Sequence, residues 1–321
     1  MKKQIKAACI TLGAAAGFMA LSAEVITYLL SHRKANMDWL FKDDKKKGDN
    51  TASDGAEDAL ANKRLEDRKW LLMQGLSYYT ITSNDGLKLT GYLLRADEAT
   101  DKYVFCIHGY RNRGINEYDS ISRFYHDLGF NVFIIDQRSC GESEGTYITY
   151  GARESEDCML WLDFMLSEFG NDIKIILHGV SLGSATVMMM CGRTLPENVA
   201  FAVCDCGYAT LKSQLDHNFC DYKLPAELSY EMFRLTSRIQ AGYDPDKVSP
   251  VAAMERCEIP VIFAHGEADD FVPYHMVYAV YDACAAKRKK LITVPGAAHA
   301  RAFFTGSALK DEIAAWVSEL T

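Results

Sequence analysis

The chain has no excess of positive charge. It carries 35 Lys and Arg against 43 Asp and Glu, a formal net charge of −8. A surface of that sign repels phosphate backbones, so nucleic acid is excluded as a main partner. No segment repeats at a fixed period, which excludes solenoid and propeller architectures. No Cys or His pairs stand at zinc-site spacing. Cys204-x-Cys206 brackets Asp205 without a second ligand pair nearby, so no metal is expected there. The ten cysteines lie mostly in apolar runs, as Cys106, Cys158, Cys191, Cys204 and Cys284 do. Buried thiols of this kind act as small hydrophobes, and a disulfide framework is unusual in so long a chain.

What is present is apolar material. At 321 residues and 49% hydrophobic content, the chain can bury one large core and carry an appendage. The appendage is N-terminal. Lys2, Lys3 and Lys6 precede an uncharged run from Ala7 to Ala23, and after Glu24 the run continues from Val25 to Ser31. That approaches the ~20 residues a spanning helix needs. An uncleaved anchor is expected over residues 1–33, which would make the protein membrane-anchored. The alternative is a cleaved signal peptide ending at Ala23, with Leu21 where a small residue is wanted. Both orientations stay open. The short basic tail favours an outward domain, whereas Arg33, Lys34, Lys42 and Lys45 to Lys47 favour the cytoplasm. Residues 34–55 read as a charged linker. Ala56 to Met73 has helical spacing in Leu60, Leu65 and Leu72, and is expected to pack on the domain that follows.

From Ser77 the pattern changes. Ser77 to Thr82 and Lys88 to Leu93 flank Asn84-Asp85-Gly86, a hairpin signal. Six apolar runs then alternate with helical patterns: Tyr103 to Ile107, Val132 to Ile135, Ile173 to Leu177, Phe201 to Cys204, Val261 to Ala264 and Leu291 to Val294. The helical patterns include Glu117 to Leu128, Glu154 to Phe169 and Ser307 to Leu320. Alternation of this kind predicts an α/β fold, a mostly parallel sheet with helices on both faces. Sites in such sheets lie beyond the carboxyl ends of the strands.

Those ends carry the chemistry. Gly179-Val180-Ser181-Leu182-Gly183 fits the G-x-S-x-G nucleophile elbow between the run Ile173 to Leu177 and the helical run Ala185 to Cys191. Its glycines let the chain turn sharply, so that Ser181 stands above the sheet edge. His265-Gly266-Glu267-Ala268-Asp269-Asp270 follows a later strand, and Pro295-Gly296-Ala297-Ala298-His299 follows the last. A serine hydroxyl needs a base, here His299. That base needs a carboxylate to orient it and offset its charge. Asp269, Asp270 and, as a reserve, Asp205 are the acids within reach. His108-Gly109-Tyr110-Arg111-Asn112 follows the first parallel strand and can aim the Tyr110 N–H at an oxyanion, with the Leu182 N–H as second donor. His108, His178 and His265 each follow an apolar strand and read as structural. Asp136 and Arg138 read as loop-holding charges.

Taken together these pieces resemble the α/β-hydrolase superfamily. The nearest branch is the serine aminopeptidase and prolyl-oligopeptidase-like group, which includes bacterial members with an N-terminal membrane segment. The resemblance runs from about Leu76 to Thr321. It rests on His108-Gly109, Asp136-x-Arg138-x-x-Gly141-x-Ser143-x-Gly145, the elbow, Ser249-Pro250, His265-Gly266-x-x-Asp269-x-x-Val272-Pro273 and Gly296-x-x-His299. It implies that Asp269 is the triad acid. It also implies hydrolysis through an acyl-enzyme, with no metal or organic cofactor. The hydrolase domain is expected over 56–321 with a small helical cap at about 208–248. The stretch of about 50 residues between Asp205 and Pro260 is too long for a plain loop, and within it Leu211 to Ile239 reads as one or two helices broken near Pro225. Its Tyr222, Leu224, Leu228, Tyr230, Phe233 and Leu235 either line an acyl pocket or form the cap's own core. The expected substrate is a small acyl ester, with a short peptide as the alternative and a non-catalytic tethered binding protein as the third reading.

Overall fold

The computed structural model describes residues 21–35 and 54–321. Eight strands form one sheet: β1 (Ser77–Thr82), β2 (Lys88–Leu94), β3 (Lys102–Ile107), β4 (Asn131–Asp136), β5 (Lys174–Val180), β6 (Val199–Asp205), β7 (Val261–Gly266) and β8 (Lys289–Val294). Their order is β1-β2-β4-β3-β5-β6-β7-β8. The β1-β2 hairpin turns where Asn84-Asp85-Gly86 predicts it, with Gly86 at φ 85°. It meets β4 antiparallel, and every later pair is parallel.

The helices are α1 (residues 21–31), α2 (Asp54–Met73), α3 (Gly114–Glu117), α4 (Asp119–Asp127), α5 (Ala152–Phe169), α6 (Leu182–Cys191), α7 (Leu211–Asp221), α8 (Ala226–Thr236), α9 (Pro250–Met254), α10 (Met276–Ala283) and α11 (Ala308–Leu320). The central strands are apolar throughout because both sheet faces are covered. On β3, Phe105 and Ile107 join the core that holds Trp161, while Val104 and Cys106 join the opposite core around Trp316. The edge strand β1 alternates between half-buried and exposed, having one covered face only. This is the α/β-hydrolase fold. Its parallel register aligns Ile107 with Gly179, Val180 with Asp205, and Gly266 with Val294, so the loops after these strands share one rim.

The N-terminal region departs from expectation. Among the described residues no helix is long and apolar enough to cross a membrane. Residues 1–20 of the expected anchor and 36–53 of the expected linker lie outside the described residues. Residues 21–35 pack on the domain, which corrects an anchor running on to residue 33. Ala23, Thr27, Leu30 and Ser31 recur at i, i+4, i+7 and i+8 and are buried. Thr27 hydrogen-bonds Thr236 of α8. After α1 the strap follows the domain, with the Arg33 N–H donating to the Thr146 carbonyl at 2.8 Å and the Ile148 N–H to the Ser31 carbonyl at 2.8 Å.

Helix α2 docks as expected, but by charge. Leu65 and Leu72 are exposed. The contact is made by Arg64 and Arg68 on the fully buried Asp119 of α4, each at 3.0 Å, with Leu71 buried alongside. Arg123 answers Asp67 at 3.0 Å. Between β6 and α9 the chain forms α7 and α8, broken at Pro225, the residue before α8. Tyr230 and Phe233 are core, Leu224, Leu228 and Leu235 are exposed, and Tyr222 lines a cavity.

Candidate active site

Ser181 sits between β5 and α6 with φ 56° and ψ −118°. A side-chain-bearing residue holds such a backbone only where its surroundings impose it. Here the surroundings leave no alternative. A Cβ on Gly179 would lie 2.3 Å from the Gly183 carbonyl oxygen, and a Cβ on Gly183 would lie 1.8 Å from that of Ile107. The elbow is wedged against the end of β3.

His299, in the loop after β8, places Nε2 2.9 Å from Ser181 Oγ and Nδ1 2.8 Å from Asp269 Oδ2. The carboxylate is anchored on its other oxygen, where Oδ1 accepts from the N–H groups of Phe271 at 3.0 Å and Val272 at 2.8 Å. Asp270 is exposed, so the acid that reaches the histidine is Asp269. Burial pushes the Asp269 carboxyl upward. Hydrogen bonds from His265, His299 and the Val272 N–H outweigh it and hold the group at about 2. Asp269 is therefore ionised throughout the neutral range, as a group offsetting an imidazolium must be.

The other candidates separate cleanly. Asp205 makes no hydrogen bond to His299. Its carbonyl accepts the Ser181 N–H at 2.8 Å, and burial pushes its carboxyl up to about 7. His108 accepts the Gln137 N–H at 2.9 Å, and His178 meets the Tyr125 hydroxyl at 3.0 Å. Burial lowers the pKa of both, as expected of structural histidines. His265 differs. Its Nε2 lies 3.0 Å from the Val272 carbonyl and 3.2 Å from Asp269 Oδ2. Both are acceptors, so Nε2 carries the proton and braces the carboxylate that holds His299. Asp136 accepts from Tyr92 Oη at 2.7 Å and from the N–H groups of Gly114 and Glu142, and Arg138 forks onto Asp157 and Asp85. Both residues hold loops. Cys206 lies with Asp269 and His299 in a group whose ligand atoms fall within 4.8 Å. Because the imidazole and carboxylate are engaged with each other and with Ser181, the trio reads as hydrogen-bonded groups, not as a metal cage.

Two cavities flank Ser181. An open cleft of about 760 Å³ runs over Gly109, Tyr110, Glu117, Gly141 and His299. A narrow slot of about 40 Å³ lies on the other side, walled by Tyr110, Leu182, Tyr208 and Leu215. Tyr110 and Leu182, the expected oxyanion residues, thus stand beside Ser181.

A profile of the prolyl oligopeptidase family matches residues 116–320. The chain belongs to the prolyl oligopeptidase family. Within that family's reach, the uncharacterized protein YqkD of Bacillus subtilis is 27% identical over 205 residues, which is 64% of this chain and 67% of its own. The uncharacterized membrane protein YNL320W of Saccharomyces cerevisiae is 23% identical over 70% of this chain and 75% of its own. Among solved structures, the esterase Pf2001 of Pyrococcus furiosus is similar with a TM-score of 0.62 at 20% identity, covering 78% of this chain and 94% of its own. The protein Est1E of Butyrivibrio proteoclasticus, seen with ferulic acid bound, gives 0.57 at 15% identity, covering 75% of this chain and 98% of its own. At these identities the structural likeness carries the fold, and the family carries the hydrolase class.

This prolyl oligopeptidase family member builds part of its site from residues that motif reading passes over. Leu30 of α1 walls the slot, and Arg33 and Ala35 of the strap wall the cleft. Arg111 binds this strap from below. Its Nη2 donates to the carbonyls of Leu29 at 2.8 Å and His32 at 3.1 Å, and its Nη1 donates to that of Ala35. The Tyr110 and Tyr150 hydroxyls both donate to the Leu30 carbonyl. A guanidinium at the C-terminal end of a helix satisfies carbonyls that lack a helical partner. The sequence signal for this is weak, because buried Thr27 and Ser31 read as the polar tail of an apolar run.

Proposed function

We propose that the protein is a serine hydrolase working through Ser181, His299 and Asp269. The observation that carries the reading is the unbroken chain of contacts from Ser181 Oγ through His299 to Asp269 at 2.9 and 2.8 Å. Ser181 attacks the substrate carbonyl as His299 Nε2 takes its proton. The Tyr110 and Leu182 N–H groups receive the oxyanion, and His299 then protonates the leaving group. Water, activated by the same imidazole, releases the acyl group. Every step is proton and acyl transfer, so the mechanism calls for no metal or organic cofactor.

The substrate class we favour is a carboxylic ester with a compact acyl group in the slot and its alcohol portion in the cleft. The slot's size supports this: by the measure that about 10–15 Å³ holds one water, it takes roughly three heavy atoms. A serine peptidase acting on short peptides is the second reading. It is favoured by the family match and by Glu117, a carboxylate in the cleft able to meet a peptide ammonium. A fluorophosphonate probe tests the hydrolase reading. Wild type should label and Ser181→Ala should not, and equal labelling sinks it, leaving the non-catalytic binding protein. A panel of p-nitrophenyl esters and aminoacyl anilides then divides the two classes. Turnover confined to the anilides overturns the esterase choice.

We further propose that the apolar run beginning at Ala7 tethers the domain to a membrane. Support comes from its composition and from the membrane description of the yeast relative. The full chain should sediment with membranes and resist a high-salt wash. Recovery in the soluble fraction rejects the tether.

A further inference from the structure

Helix α7 presents its inner face to the slot. Thr210 caps its start, accepting the Ser213 N–H at 3.0 Å. From there Leu211, Gln214, Leu215 and Asn218 follow at i, i+3, i+4 and i+7, the spacing of one helix face. Three of the four line the slot: Gln214, Leu215 and Asn218. An apolar residue belongs at the second position, which is only 5% exposed. A glutamine there breaks the pattern. Buried amides are found where both ends are bonded.

One end of Gln214 is bonded. Its Nε2 donates to the Phe271 carbonyl at 2.7 Å and to Asn218 Oδ1 at 2.9 Å. A backbone carbonyl can only accept, so this contact fixes which end is nitrogen. The remaining end is therefore an acceptor. Gln214 Oε1 is buried, and among the described residues it has no hydrogen-bond partner. A buried carbonyl-type oxygen left in this state destabilises the site until a donor meets it. The rest of the slot is mostly apolar, with Leu30, Tyr110, Tyr208 and Phe271 among its walls. Gln214 lines this slot, so a molecule that fills it is a source from which a donor can reach Oε1.

Building on the hydrolase reading, we propose that the slot selects a short acyl group that carries a hydrogen-bond donor, an O–H or N–H, which bonds Gln214 Oε1. A plain alkanoyl group of the same size leaves the oxygen buried and unmet. The site should discriminate against it more sharply than apolar fit alone allows, since a site built to bond a hydroxyl or amine rejects the analogue lacking it. Hydroxyacyl and aminoacyl groups share this chemistry.

The experiment compares matched p-nitrophenyl esters on the full chain: butanoate with 3-hydroxybutanoate, and propanoate with lactate and with alaninate. Wild type should prefer a donor-bearing member by about tenfold or more in kcat/KM. Gln214→Leu should bring the ratio near one, and Gln214→Met should do the same. Both esters are read on one sample, so partial misfolding cancels from the ratio. Gln214→Glu keeps an acceptor and adds charge. A preference it shifts toward alaninate identifies an ammonium as the donor, and one it leaves with the hydroxy esters identifies an alcohol. A wild-type ratio near one, or a ratio that Gln214→Leu leaves unchanged, overturns the proposal while fluorophosphonate labelling of Ser181 stands. Loss of that labelling in wild type would instead overturn the hydrolase reading beneath it.

Discussion

Ser181→Ala should lower kcat on a p-nitrophenyl ester by about 10⁶-fold, and adding His299→Ala should cost almost nothing more. The two act as one unit. Without the hydroxyl there is no proton for His299 Nε2 to take across its 2.9 Å contact, and without the imidazole the hydroxyl is a poor nucleophile. What survives comes from the oxyanion donors and from binding. Asp269→Asn should cost less, about 10⁴-fold, because its amide N–H would donate to His299 Nδ1 and leave the proton on Nε2, the wrong tautomer for a base. Single-turnover rates on purified variants measure all three. Retention of more than about 1% of wild-type kcat by Ser181→Ala would mean that the nucleophile lies elsewhere.

Gly183→Ala should be strongly destabilising. The new Cβ would fall 1.8 Å from the Ile107 carbonyl oxygen and 2.7 Å from that of His108. Both opponents are backbone, so no rotamer change relieves the clash. Helix α6 must move away from the end of β3, taking Ser181 with it and disturbing Gly109-Tyr110. A loss of at least about 4 kcal/mol is expected, seen as a fall in Tm of about 10 °C or more. Gly55→Ala supplies the control, since a Cβ there meets nothing within 4 Å. It should leave Tm unchanged or slightly raised, as alanine favours a helix over glycine. Equal Tm values for the two variants would contradict the packing described for the elbow.

The fold was legible because strands buried on both faces are written as apolar runs. Tyr103 to Ile107 locates β3 to within one residue, and Ile173 to Leu177 locates β5 to within three. The candidate site was legible for a related reason. Chain order delivers Ser181, Asp269 and His299 to strand ends, and a parallel register brings those ends to one rim. Interfaces that are not apolar were harder to see. Helix α2 docks through Arg64, Arg68 and Asp119, so its leucines predicted contact on the wrong side. Helix α1 docks through Thr27 and Ser31 as well as Leu30, and its tail passes for the end of a longer apolar segment. His265 looked like any strand-end histidine, since nothing local shows that its Nε2 reaches Asp269.

Arg111 joins places that the chain numbering keeps far apart. Its guanidinium holds the last carbonyls of α1, while its own backbone, at φ 55°, is the residue directly after Tyr110. Between the N-terminal helix and the loop beside Ser181 there is thus one side chain and one peptide unit, besides the direct bond from the Tyr110 hydroxyl to the Leu30 carbonyl. The N-terminal strap is in effect sewn to the loop beside Ser181, once by the Arg111 guanidinium and once by the Tyr110 hydroxyl.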